Sequence, residues 1–219
     1  MFRRRLLSTA KGLSLSLGLS LGLAALPLAA AHAWENRVEG MKNQWERLIT
    51  EQAEGQRSGG LRSLAGQAER LVAEHPDQAM PLVWQGIIEA SYARERSGLG
   101  ALSSARSARD ALERAIELDP DGANGSAYVT LGALYDRAPG RPVGFGNSDT
   151  AERMFQRALS IRPDGIDVNF YYAAFLEDEG RIDEAREHAR RAVEGEARPD
   201  REASDEALRE EARELFERL

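Results

Sequence analysis

Residues 82–122 read LVWQGIIEASYARERSGLGALSSARSARDALERAIELDPDG, and residues 125–165, at an offset of 43, read GSAYVTLGALYDRAPGRPVGFGNSDTAERMFQRALSIRPDG. Pro120-Asp121-Gly122 recurs as Pro163-Asp164-Gly165, Tyr92 falls on Tyr135, Ala108 on Ala151 and Ala115 on Ala158. Large apolar positions correspond too: Ile88 with Leu131, Leu112 with Phe155, Ile116 with Leu159 and Leu118 with Ile161. Self-similarity of this length marks a stack of supersecondary units, each too small to bury its own apolar face. The apolar spacing is helical, and no alternation of period two is long enough for a strand.

The second copy shows the unit most clearly. Tyr128, Leu131, Gly132 and Tyr135 fall on one helix, Ala151, Phe155 and Ala158 on the next, and Pro163 closes the unit. This pattern resembles the tetratricopeptide repeat. The resemblance implies an all-α, right-handed solenoid of antiparallel helix pairs in which small residues allow close approach and large ones fill the holes. Gly132 is expected at such an approach, with Ala158 on the same seam. Residues 167–199 fit through Leu176, Gly180, Ala185, Ala189 and Ala192. Residues 82–121 fit with one departure, Glu89 standing where the next copy has Gly132, which argues against tight packing there. Residues 45–76 fit loosely, through Leu71 and Pro76.

The closing prolines Pro76, Pro120, Pro163 and Pro199 are separated by 44, 43 and 36 residues. A standard unit takes about 34, so the middle two carry roughly 7–10 extra residues each. The extra residues are expected between the helices, as Ser97-Gly98-Leu99-Gly100 in one unit and Ala138 to Asn147 in the other. Pro139 and Pro142 lack amide protons, and glycine carries a backbone entropy penalty, so these segments are read as non-helical. Predicted helices span 36–53, 60–74, 78–95, 101–118, 125–137, 149–161, 167–178 and 182–194, in units of about 34–76, 78–121, 125–164 and 167–199. A last polar helix, 201–218, carries Ala203, Ala207, Leu208, Ala212, Leu215 and Phe216 on one face and reads as a cap.

Residues 1–33 read as a cleaved signal peptide. Arg3, Arg4, Arg5 and Lys11 precede an apolar run of 18 residues, Leu13 to Ala30, and Ala31-His32-Ala33 is a small-x-small cleavage site. Cleavage leaves residues 34–219 as one repeat domain, starting at Trp34, periplasmic or secreted and without stable membrane insertion. Arg3-Arg4 before an apolar pair also resembles a twin-arginine export signal. The net charge is −7, from 29 Lys+Arg against 36 Asp+Glu. Four of those basic residues lie in the leader, so the remainder stands near −11. Such a domain repels nucleic acid and anionic membrane. The chain has no cysteine, which excludes disulfides and cysteinyl metal sites.

Little in the sequence points to catalysis, and the expectation is no enzyme, no metal and no cofactor. His75 at a turn and His188 on a charged helix face read as ordinary surface histidines. The glycines of 140–146 lack the Lys-Ser/Thr ending of a phosphate loop. Residues 119–125 lack the third early acid and the closing Glu of a calcium loop, and a helix-ending turn explains them.

The first helix of each unit is expected to line the concave surface. Those faces offer Ile87, Ala90 and Arg94, then Val129, Ala133 and Arg137, then Phe170, Tyr171, Ala174 and Glu177. Relatives that grip a C-terminal carboxylate need Lys and Asn on these faces, and neither is present. Arg94 and Arg137 read either as an anion clamp or as arginines paired with nearby acids. Phe170, Tyr171 and Trp84 read as groove lining or as core. Phe145, between Gly144 and Gly146, either pins its loop or meets a ligand. The expectation is an exported scaffold that binds an unidentified protein or peptide in its groove.

Residues 80–200 also resemble a group of exported bacterial tetratricopeptide proteins, through Gly98–Leu102, Pro139–Gly146 and Pro163–Asn169. That group is similar to the periplasmic T component of tripartite ATP-independent transporters. This second resemblance implies a small-ligand or lipid-binding accessory, partnered by a periplasmic solute-binding protein.

Overall fold

The computed structural model describes residues 33–219, and the leader read from the sequence lies outside the described residues up to position 32. The described residues form helices α1 (Ala33–Glu51), α2 (Ser58–Glu74), α3 (Ala79–Arg94), α4 (Gly98–Leu118), α5 (Ser126–Arg137), α6 (Ser148–Ile161), α7 (Ile166–Asp178), α8 (Ile182–Glu194) and α9 (Glu202–Arg218). No strand occurs among them. Consecutive helices pair α3 with α4, α5 with α6 and α7 with α8, and the first helices also touch along the stack, α3 on α5 and α5 on α7. The architecture is an all-α helical-repeat solenoid.

The two helices of a unit bury different amounts of surface, and their sequences show why. Helix α7 is packed from several sides and buries Ile166, Val168, Phe170, Tyr172, Ala173, Phe175 and Leu176. Its partner α8 buries only Ala185, Ala189 and Ala192, a narrow stripe at four- and three-residue spacing on an otherwise charged helix. Alanine on that stripe lets α8 settle close to α7. Its other face is laced by ion pairs such as Arg190 with Glu194 at 2.5 Å.

Helix ends obey local chemistry. The Asn147 side chain accepts the Thr150 amide at 2.8 Å and caps α6. Helix α7 stops at Gly180, whose φ of +73° is left-handed. The Arg181 amide then reaches the Leu176 carbonyl at 2.8 Å and the Gly180 amide reaches Glu177 at 3.0 Å, so two orphan carbonyls are satisfied. Residues 119–125 form a turn in which the Asp119 carboxylate accepts the amides of Asp121 and Ala123, both at 3.1 Å.

Three expectations need correction. The segment Gly98-Leu99-Gly100 does not separate helices; it is the first turn of α4, and only residues 95–97 lie between α3 and α4. Glycine is tolerated there because the first amides of a helix have no intrahelical partner to lose. The extra length of this unit therefore sits mainly in a longer helix of 21 residues. Second, the crossing of α3 and α4 is tight despite Glu89. Leu112 seats over Gly86, where a Cβ would come within 2.3 Å of its Cγ. The repeat register of the first helix is thus shifted by three residues relative to the second. Gly132 plays the same part under Phe155, at 2.7 Å, whereas Ala158 packs near Gly125. Third, His188 is half-buried rather than on the surface. It packs edge-on against Tyr172, 4.8 Å between centroids, and its Nδ1 lies 2.8 Å from the Asn169 Oδ1. The Asn169 amide donates to the carbonyls of Pro163 and Gly165, which leaves Oδ1 to accept the His188 Nδ1–H.

Two measurements test this packing. Gly132→Leu overpacks the seat of Phe155 and is expected to lower stability by about 1–3 kcal/mol in urea unfolding; an unchanged midpoint would refute the seat. Burial and the nearby Arg191 charge lower the pKa of His188 from its ordinary 6.5. The unfolded chain therefore takes up a proton here before the folded one does, and stability is lost as pH falls below about 6.5. The melting temperature of the wild type is expected to drop from pH 7 to pH 5.5, and His188→Gln to flatten that drop.

Candidate functional site

The stack of first helices lines a partly open cavity of about 930 Å³. Trp45 and Ile49 of α1, Ile87 and Ala90 of α3, Val129 and Ala133 of α5 and Tyr171 of α7 make its wall. The wall is apolar because each first helix turns small or branched residues inward, where nothing of the chain fills the space. Of the residues expected in the groove, Ile87, Arg94, Val129, Arg137 and Tyr171 line the cavity. Phe170 packs instead with Ala189, Ala192 and Leu215, on a different face of α7 from Tyr171. Glu177 pairs with Arg218 at 2.8 Å. Arg94 and Arg137 are exposed, and neither forms an ion pair among the described residues. The Arg137 guanidinium lies over the Tyr171 ring at 5.5 Å.

The loop 138–147 sits at the rim. It doubles back so that the Gly146 amide donates to the Pro139 carbonyl at 2.9 Å and the Gly144 amide to Gly140 at 3.0 Å. A Cβ at Gly146 would stand 1.9 Å from the Ala138 oxygen, so only glycine permits this approach. Phe145 is not among the cavity side chains. It meets Tyr135 edge-on at 5.5 Å, beneath the Arg109 guanidinium at 4.7 Å. Tyr135 is in turn held by Glu113 at 2.5 Å; burial and that carboxylate push its pKa up to about 12, so it remains a donor at neutral pH. Pro139 and Val143 of the loop do reach the cavity, opposite Leu99 of α4. Val143 is 58% exposed and Leu99 84%.

The C-terminal segment shapes the cavity as well as capping the stack. Ala212 and Leu215 of α9 bury against α7 and α8, as a cap should. Its first turn does something else. Glu46 of α1 accepts the Ser204 amide at 3.0 Å, so a carboxylate of the first helix caps the last one. Lys42 reaches Asp200 at 3.2 Å, and Arg201 rests against the contacting pair Trp45 and Trp84, 4.6 and 5.1 Å from their rings. Beneath this seam is a buried ionic tie. Asp167 takes two bonds from Arg162, at 2.6 and 2.8 Å, and meets Arg198 at 3.2 Å; Arg198 also grips Asp205 at 2.6 Å. Burial raises the pKa of Asp167, but the Arg198 and Arg162 charges outweigh it and hold the carboxyl below its usual range. The two ends of the repeat stack are thereby joined beside the cavity.

No family model matches the chain. No curated protein matches it either. Solved structures do. A thermophilic tetratricopeptide repeat protein of Thermus thermophilus, TTC0263, superposes with a TM-score of 0.57 at 16% identity, over 87% of this chain and 94% of that one. The chain shares the fold of tetratricopeptide repeat proteins. Two structures of MamA align at TM-scores of 0.46, with 21% and 20% identity, over 81% and 77% of this chain and 95% and 85% of theirs.

Sequence reasoning missed Arg201, Ser204 and Asp167 as parts of the cavity. In the sequence Arg201 is one arginine in a charged run, and Asp167 stands at an ordinary helix start. Only the return of the last helix to the first gives them a role. Asp167→Ala leaves Arg162 buried without a carboxylate, while Arg198 keeps Asp205, and is expected to cost about 3–5 kcal/mol in chemical denaturation. A shift under about 1 kcal/mol would show that the tie carries little.

Proposed function

We propose that the chain is an exported helical-repeat scaffold that binds a segment of a partner protein at its concave face. The fold supports protein partners, and the carrying observation is the mouth of the cavity. There Leu99 and Val143 stand exposed beside an apolar wall, with the unpaired Arg94 and Arg137 next to them. Exposed apolar side chains around a concavity mark interaction surfaces, and free guanidinium forks suit acidic partners. No catalytic role is proposed. Export rests on the leader pattern of residues 1–33; among the described residues no helix is long and apolar enough to cross a membrane.

A second reading, a binder of a small or lipid-like ligand in a solute-transport system, is favoured by the closure of the stack. Segment 198–204 bonds to α1 beside the concave face and walls part of a cavity that remains open on one side. Its volume lies within the range of small-molecule sites, about 300–1,000 Å³.

Two experiments test these readings. N-terminal sequencing of the exported product is expected to begin at Trp34; an intact Met1 would refute export with cleavage. Peptides tiled from candidate partners are expected to bind the wild type and to lose about tenfold in affinity on Ala133→Trp, which fills the wall. Equal binding by that variant would refute the groove, and a small molecule retained in native mass spectrometry would favour the second reading.

A further inference from the structure

Arg201 is a buried arginine, 8% exposed, on the cavity wall. Among the described residues no carboxylate lies within 4.0 Å of its guanidinium. The acids nearest in charge are already engaged: Asp205 receives the amide, Nε and Nη2 of Arg198, and Asp167 is shared by Arg162 and Arg198. Its Nε donates to the Ser204 Oγ at 3.3 Å, and its two Nη groups donate to nothing among the described residues. The plane is held by Trp45 on one ring contact and Trp84 on the other, and Trp45 is itself fixed by its Nε1–H to the Ser91 Oγ at 2.8 Å. Burial together with the neighbouring Arg198 charge pushes its pKa down, and the charges of Asp167, Asp205 and Glu46, none of them bonded to its fork, offset only part of that. Aromatic faces offset part of that penalty, but they leave the hydrogen-bonding edge of the fork unused.

We infer that the unengaged Nη groups of Arg201 form an anion seat on the cavity wall, and that the occupant is a small carboxylate carried on an apolar body. The inference rests on the second reading above, a small ligand in the cavity. Charge complementarity fixes the head group: a carboxylate matches the free fork, whereas a neutral group leaves it unpaired. The wall fixes the rest of the molecule. Ile49, Ile87, Val129, Ala133 and Leu208 offer no polar group to a ligand body lying along them. The rim arginines Arg94 and Arg137 are exposed to water, so their charges are screened and contribute less than the buried one.

The test uses the mature protein with decanoate and its neutral counterpart decanol, compared by isothermal titration. Decanoate is expected to bind at least about tenfold more tightly than decanol. Arg201→Met should abolish that preference, while Arg94→Gln should keep most of it. Equal affinity of the two probes would overturn the anion seat while leaving the small-ligand reading standing. Binding of neither would overturn the seat and the small-ligand reading together. A preference that survives Arg201→Met and disappears on Arg94→Gln would place the anion at the rim and overturn the assignment. If Arg201→Met fails to fold, the wild-type preference and its survival in Arg94→Gln still decide: a preference lost in Arg94→Gln overturns the seat.

Discussion

The structure depends on one buried carboxylate. Asp167 opens helix α7 in the last repeat, and its two oxygens bind Arg162 from the end of α6 and Arg198 from the segment beyond α8. Arg198 then holds Asp205 in the first turn of α9. Three pieces of chain that a repeat array would leave independent are locked in a low-dielectric place where attraction is strong and water cannot substitute. Just beyond this lock Ser204 reaches Glu46, and Arg201 rests against the paired tryptophans of α1 and α3.

Around that lock the repeat physics is ordinary. First helices are apolar on several sides because they touch neighbours on several sides, and second helices need only a stripe. The seats at Gly86 and Gly132 let a large residue from the second helix press against backbone. The inner surface forms a concavity along the first helices, and the inserts and the C-terminal segment add to its wall. Function in such a fold resides in these additions rather than in the repeat itself.

The sequence made the stack legible because periodicity and closing prolines report on local packing. Helix boundaries followed closely, and five of the groove residues, Ile87, Arg94, Val129, Arg137 and Tyr171, do line the cavity. Phe170 and Glu177 face α8 and α9 instead, since a helix of this kind is apolar nearly all round and its pattern does not say which face looks inward. Gly98 was read as a breaker because propensity weighs a helix interior, not a first turn. Arg201 left no trace at all. Its meaning comes from Trp45 and Trp84, far away in the chain, and no local pattern encodes a meeting of that range.

Lys42 and Asp200 meet across 158 positions of sequence. In an open array each unit senses only its neighbours, so units can be gained or lost at an end with little effect elsewhere. Here the number of units is set by the need for the last helix to come back to the first. A change of one unit would rotate the closing segment away from Glu46 and the tryptophans. The chain has given up the extensibility of its architecture, and its thermodynamics should be those of a single cooperative body whose two ends are neighbours.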